Sequence, residues 1–179
     1  TDKFWNPILE SSKRANPEIL SYLKPGCGFG GSCFPKDLKA IRNHSEKLGL
    51  NPHILNAVLK VNDNQPYQII NLLKQSFSSI KDQKLLILGL SFKPNTDDVR
   101  ESVSIKIINE LVLAKAKIIA HDPVAIQNAK KHISPNTKVD FSEDWLSKLS
   151  MVDAVVILTN WEEYKQLSDS SNQRKLKNS

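Results

Sequence analysis

The 179-residue chain has two cysteines and six glycines, with no long apolar run and no internal repeat. Each scarcity excludes something. Cys27 and Cys33, six positions apart, do not make the disulfide framework of a small secreted domain, so a reducing cytoplasm is the expected location. No apolar stretch approaches the length that spans a bilayer, and the opening TDKFWNPILE lacks the layout of a signal peptide. No membrane partner is expected. No Cys/His cluster has the spacing of metal ligands, so no metal is expected either. The net charge of +6 suits an anionic partner, but no basic stripe interleaved with aromatics accompanies it, and nucleic acid is excluded as an expected partner.

What glycine and cysteine there is sits together. The stretch GCGFGGSC, residues 26–33, holds four of the six glycines and both cysteines, and FPKDLKAI follows it directly. Such a loop reaches positive φ without strain and brings backbone N–H groups close to a ligand. A thiol at its end is either packed or reactive. A free thiol titrates at roughly 8.5, and cationic neighbours or a helix start lower that value. Cys33 has Lys36 three residues on and a helix start just beyond, and the glycines around it favour reactivity. Asp37 is placed to cap that helix, or to orient a water beside the thiol. Cys27, among small and apolar neighbours, reads as a packing residue.

The chain divides by texture. Residues 1–80 show helical apolar spacing broken by the glycine loop: LKAIRNHSEKLG predicts a short helix closed by Gly49, and NPHILNAVLKVNDNQPYQIINLLKQSF a long one. Ile54, Val58, Val61, Ile69, Leu72 and Leu73 mark its apolar positions, and Pro66 is expected to kink or interrupt it. Residues 81–168 alternate short apolar strands (KLLILGL, KIIAHDP, TKVDF, DAVVILT) with helices (SIKIINELVLAKA, IQNAKKHI, EDWLSKL, WEEYKQL), the pattern of a doubly wound parallel sheet. Residues 169–179 read as a polar, unstructured tail. The fold class is α/β: a helical region with a long central helix, then a Rossmann-like parallel-sheet domain.

In such a sheet ligands bind beyond the carboxyl ends of the strands. The first strand delivers Phe92 and Lys93 to that edge, a stacking ring and a phosphate partner, with Arg100 close behind to grip an anion. Equally, this is a solvated loop in which Asp97 and Asp98 pair with Arg100. Asp122, closing the second strand, has the position of a ribose ligand, but no GxGxxG follows the first strand, so dinucleotide binding by this sheet is not expected.

GFGGSCFPKD closely resembles the catalytic loop of the UDP-glucose/GDP-mannose dehydrogenase family, and GLSFKPNTDDVRES resembles the loop opening that family's C-terminal nucleotide-sugar-binding domain. AHDP and DAVVILTNWEEY follow in the family's order. The resemblance runs from about Ile19 to Leu167, and the Ser-Cys-Phe-Pro-Lys form is nearest to members that oxidise UDP-glucose to UDP-glucuronate. It implies an NAD-dependent two-step oxidation in which Cys33 is the nucleophile and Asp37 assists water and proton transfer. It implies substrate contacts from Leu23, Lys24, Phe29, Gly30, Phe92 and Lys93, and cofactor contacts from Cys33, Lys36 and Arg100. It also implies a homodimer through the long helix. Two departures accompany it. The family's N-terminal dinucleotide domain is not in this sequence, so the chain is expected to be inactive alone. Glu18 stands where an arginine is usual. The second reading of the same residues is a non-catalytic nucleotide-sugar-binding or dimerisation module.

Overall fold

The computed structural model describes residues 26–134 and 137–177. Two helices come first. Helix α1 spans Phe34–Lys47 and α2 spans His53–Ser76. An α/β unit follows in the order β1 Lys84–Leu88, α3 Val103–Leu113, β2 Lys117–His121, α4 Ile126–His132, β3 Val139–Phe141 and β4 Ala154–Ile157. Strand order in the sheet is β3-β2-β1-β4, all parallel, with Leu86 of β1 opposite Ile119 and Val155.

The unbroken apolar run of β1 follows from this arrangement. Alternate side chains of a strand point to opposite faces. Leu85 and Ile87 face a core built with Ile70, Leu73, Ile107, Ile108 and Leu111 of α2 and α3. Leu86 and Leu88 face a second core of Trp145, Leu149, Val152 and Tyr164. All four are fully buried, and each such side chain contributes about 1.5–3 kcal/mol.

Several expectations are corrected. Of the kink or interruption expected at Pro66, the interruption is absent: α2 runs through it, with the ring buried, and what is lost is the N–H that would have reached the Asn62 carbonyl. The buried stripe of α2 is Leu59, Asn62, Pro66, Ile70 and Leu73; of the positions read in the sequence Leu73 belongs to it, Val58 and Ile69 are half-buried, and Ile54, Val61 and Leu72 are exposed. Helix α1 begins earlier than LKAI, with Pro35 in its first turn, where a missing N–H costs nothing. Its N-cap is therefore Cys33, and Asp37 lies inside the first turn without capping it. Gly49 does take the left-handed φ of +74° just past the helix end. The segments 146–151 and 162–168 are 3-10 rather than α-helical. The segment read as an unstructured tail forms helix α5, Ser170–Lys177, in whose first turn a buried Asn172 donates to the Gln166 carbonyl at 2.8 Å. Among the described residues no helix is long and apolar enough to cross a membrane.

Candidate active site

The carboxyl edge of the sheet is organised by one carboxylate. Asp122 closes β2 and is 2% exposed. Its Oδ2 accepts from the backbone N–H groups of Leu90 (2.8 Å) and Ser91 (3.1 Å), the Ser91 hydroxyl (3.2 Å) and the Trp161 indole (3.1 Å). Its Oδ1 accepts from the N–H groups of Val124 (3.0 Å) and Ala125 (2.8 Å). Burial alone would raise its pKa, but the N–H bonds from Leu90, Val124, Ser91 and Ala125 outweigh it and hold the carboxyl below the usual range. Both oxygens are thus taken up within the chain. The ribose-holding role open to an acid at this position is not available to Asp122.

That carboxylate fixes the root of the loop after β1. The carbonyls of Leu90 and Ser91 are held as well, by Ser102 Oγ at 2.7 Å and Thr159 Oγ1 at 2.6 Å. Phe92 N–H then donates to the Asp98 carbonyl at 3.0 Å, so the loop leaves the sheet with its direction set. Phe92 is half-buried and Lys93 exposed, with Lys93 Nζ 5.5 Å from the centre of the Phe92 ring.

The glycine–cysteine loop docks onto this second loop, some sixty residues away in sequence. Gly31 N–H donates to the Arg100 carbonyl at 3.0 Å. Gly31 has φ +86°, and a Cβ there would sit 2.8 Å from a Phe92 ring carbon. A Cβ on Gly30 would meet the Glu101 carbonyl. The two glycines are small because another backbone and ring occupy the space. Lys39 and Lys106 both reach Glu101, at 3.5 and 3.6 Å, across the junction of α1, the loop and α3. These pairs are about half exposed, so each is worth only about 0–1 kcal/mol. The backbone contacts set the junction.

The residues expected from the sequence fall as follows. Cys33 is exposed at the start of α1, its Sγ 3.7 Å from Ser32 Oγ. Asp37 and Lys36 are exposed and pair with each other at 3.5 Å. Phe29 meets Phe34 edge-on at 4.6 Å, and Gly30 lies at the docking contact. Arg100 is exposed and forks onto Asp98 through Nε (3.0 Å) and Nη2 (2.7 Å), which raises the pKa of the guanidinium and lowers that of Asp98; a Cys33 thiolate adds a weaker attraction. The paired-loop reading holds for Asp98, whereas Asp97 bonds Asn128 at 2.9 Å. Cys27 packs against the core, and burial pushes its thiol pKa up. Leu23 and Lys24 lie outside the described residues, as do Glu18 and Ile19. Fold and contacts therefore bring Phe29, Gly30, Phe92 and Arg100 to one junction, with Cys33 at its α1 side.

Two contributors were missed in the sequence. Asn62 holds Phe29 from α2; the available signal was a polar residue inside a helix stripe otherwise apolar. The bracing of Leu90 and Ser91 by Asp122, Ser102 and Thr159 had no local signal, because the partners come from separate elements.

Comparison with known proteins gives concordant results. The UDP-binding-domain model of the UDP-glucose/GDP-mannose dehydrogenase family matches residues 86–179, and that family's central-domain model matches residues 8–64. UDP-glucose 6-dehydrogenase of Haloferax volcanii is 37% identical over 162 residues, covering 90% of this chain and 37% of that protein. A UDP-glucose 6-dehydrogenase of Bacillus subtilis is 40% identical over 145 residues, covering 81% and 32%. The structure of a UDP-glucose dehydrogenase from Pyrobaculum islandicum superposes with a TM-score of 0.74 at 40% identity, over 78% of this chain and 32% of that one. A GDP-mannose dehydrogenase from Pseudomonas aeruginosa gives 0.71 at 27% identity, over 83% and 36%. The chain spans 37% and 32% of the length of these two curated relatives.

Proposed function

The chain belongs to the UDP-glucose/GDP-mannose dehydrogenase family, and from that premise we propose that it forms the cysteine-bearing, nucleotide-sugar-binding part of an NAD-dependent UDP-glucose 6-dehydrogenase. The observation that carries this reading is the docking of the two loops: Gly31 N–H on the Arg100 carbonyl and the Gly31 backbone against the Phe92 ring bring the thiol-bearing loop to the sheet's ligand edge.

In this reading the sugar nucleotide lies across the junction, with Phe92 against a flat or apolar part of it and Lys93 opposite the diphosphate. Phe29 and Gly30 line the other side, and the family resemblance assigns further substrate contacts to Leu23 and Lys24. Cys33 Sγ attacks the C6 aldehyde formed in the first oxidation, making a C–S bond and a thiohemiacetal. Oxidation of that adduct leaves a thioester, and water adds to its carbonyl carbon. Loss of the sulfur then releases the carboxylate and returns the thiol, with Asp37 taking up the water's proton. Covalent attachment holds the aldehyde until the second oxidation.

The α/β sheet does not itself suit a dinucleotide: the strand β1 exit has no glycine-rich turn, and both Asp122 oxygens are bonded internally. What the described residues offer NAD is an edge, the exposed cations Lys36 and Arg100 beside Cys33. NAD bound there would supply the hydride acceptor for each oxidation. A homodimer through α2, whose Ile54, Val61 and Leu72 are exposed, and a cytoplasmic location belong to the same proposal.

The test is alkylation by iodoacetamide followed by mass spectrometry. Cys33 is expected to react at least about tenfold faster than Cys27, whose thiol is half-buried and harder to ionise. UDP-glucose is expected to slow Cys33 and leave Cys27 unaffected. Equal rates, or no effect of UDP-glucose at millimolar concentration, would count against the reading.

A further inference from the structure

The buried stripe of α2 contains one amide among apolar side chains. Asn62 is 8% exposed, between Leu59 and Pro66 on the face that meets the glycine–cysteine loop. Its Oδ1 accepts from Phe29 N–H at 2.7 Å, and its Nδ2 donates to the Phe29 carbonyl at 3.1 Å. The carboxamide thus pairs with one residue's backbone through both groups, as a neighbouring strand would.

The need for such a pairing follows from the loop's composition. Gly28, Gly30 and Gly31 flank Phe29, and glycine loses more backbone freedom on ordering than any other residue. Among the described residues, segment 26–32 makes three hydrogen bonds to other elements. Two are those of Asn62 with Phe29, and the third is Gly31 N–H to Arg100. The loop is therefore pinned at two points, to α2 and to the loop after β1, and Cys33 follows two residues beyond the second. Phe29 also carries the edge-on contact to Phe34, the residue after Cys33.

We infer that Asn62 is a positioning residue for Cys33: it fixes the thiol by holding the Phe29 backbone, without touching substrate. The inference rests on the reading of Cys33 as the nucleophile. Its core, that Asn62 sets the loop's conformation, is testable without that reading. A carboxamide is required because the peptide presents one donor and one acceptor together. Asn62→Asp keeps the shape, removes the donor and sets a negative charge against the Phe29 carbonyl. Asn62→Leu keeps an apolar stripe and removes both bonds.

The experiment is hydrogen–deuterium exchange of the full chain by mass spectrometry, wild type against both variants, followed by the half-protecting concentration of UDP-glucose in Cys33 alkylation. In either variant, exchange of peptides covering 26–33 is expected to speed up at least tenfold while β1 and β2 exchange as in wild type. The half-protecting concentration is expected to rise at least tenfold, with Cys27 reacting unchanged. Loop exchange within twofold of wild type in both variants overturns the inference. So does an increase spread equally over β1 and β2, which would make Asn62 a general stabiliser. Faster loop exchange with an unchanged half-protecting concentration also overturns it, since the loop would then be held without consequence for the site. If UDP-glucose fails to protect wild-type Cys33, the proposed function falls, and the exchange data alone decide for or against Asn62. Should Asn62→Asp not fold, Asn62→Leu decides.

Discussion

Replacing Asp122 by asparagine changes one atom at the centre of the sheet's carboxyl edge. The carboxylate accepts from six donors, four at Oδ2 and two at Oδ1. Asparagine has one oxygen. If it keeps the Oδ2 side, its amide hydrogens confront the N–H groups of Val124 and Ala125; if it turns over, they confront four donors instead. At least two N–H groups are left without a partner, that of Ala125 buried and that of Val124 part-buried, and a buried one costs about 1–3 kcal/mol. The expected loss is therefore about 1–4 kcal/mol, out of a total that for domains is about 5–15 kcal/mol. With a urea slope of about 2 kcal/mol/M, the midpoint falls by roughly 0.5–2 M at neutral pH. Trp161, whose indole donates to this carboxylate, reports the transition by fluorescence.

The pH dependence adds a second condition on the same variant. The folded pKa of Asp122 lies below that of the unfolded chain, about 3.9. Its contribution is complete above that value and is lost as pH falls through the folded pKa. The gap between wild type and Asp122→Asn must therefore narrow below about pH 4. A midpoint shift under about 0.3 M at pH 7, or a gap that does not narrow in acid, would refute the account of this carboxylate as a charged hub.

Two further outcomes follow from the same contacts. Gly31→Ala places a methyl 2.8 Å from the Phe92 ring at φ +86°, so the ring or the loop must shift; the expected result is loss of UDP-glucose binding by calorimetry, at least tenfold, with Trp161 fluorescence unchanged. His121 is buried against Tyr164, its Nδ1 2.9 Å from the hydroxyl, and burial lowers its pKa, with partial opposition from Glu163, Asp122 and Asp144. The unfolded chain then takes up the proton first, so stability should decline as pH drops from about 6.5 towards the folded pKa; urea midpoints at pH 7.5 and 5.5 measure it, and a His121→Gln variant should decline less.

Much of the fold was legible because its signals are local. The run KLLILGL identifies a strand covered on both faces, since one face must meet α2, α3 and the other Trp145 and Tyr164. Gly49 marks a helix end by its own backbone chemistry. Signals that depend on distant partners misled. Pro66 lacks the N–H that a helix interior uses, yet α2 continues through it with the ring buried. The segment 169–177 looks unstructured by composition, yet Asn172 anchors its helix to the Gln166 carbonyl. Asp37 looked like a cap because the helix start was placed too late.

By itself the sequence determined the alternation of strands and helices, the concentration of glycine at 26–31 and the family these motifs resemble. Propensity, period and motif are properties of neighbours along the chain. Only the tertiary structure decided that Gly31 meets Arg100 and Phe92, that Asn62 holds Phe29, and that Asp122 is spent on Leu90, Ser91, Val124, Ala125 and Trp161 rather than on a ligand. Those assignments depend on which donor and acceptor arrive at the same place. Hydrogen bonds form over about 3 Å whatever the sequence separation, so no window along the chain contains them.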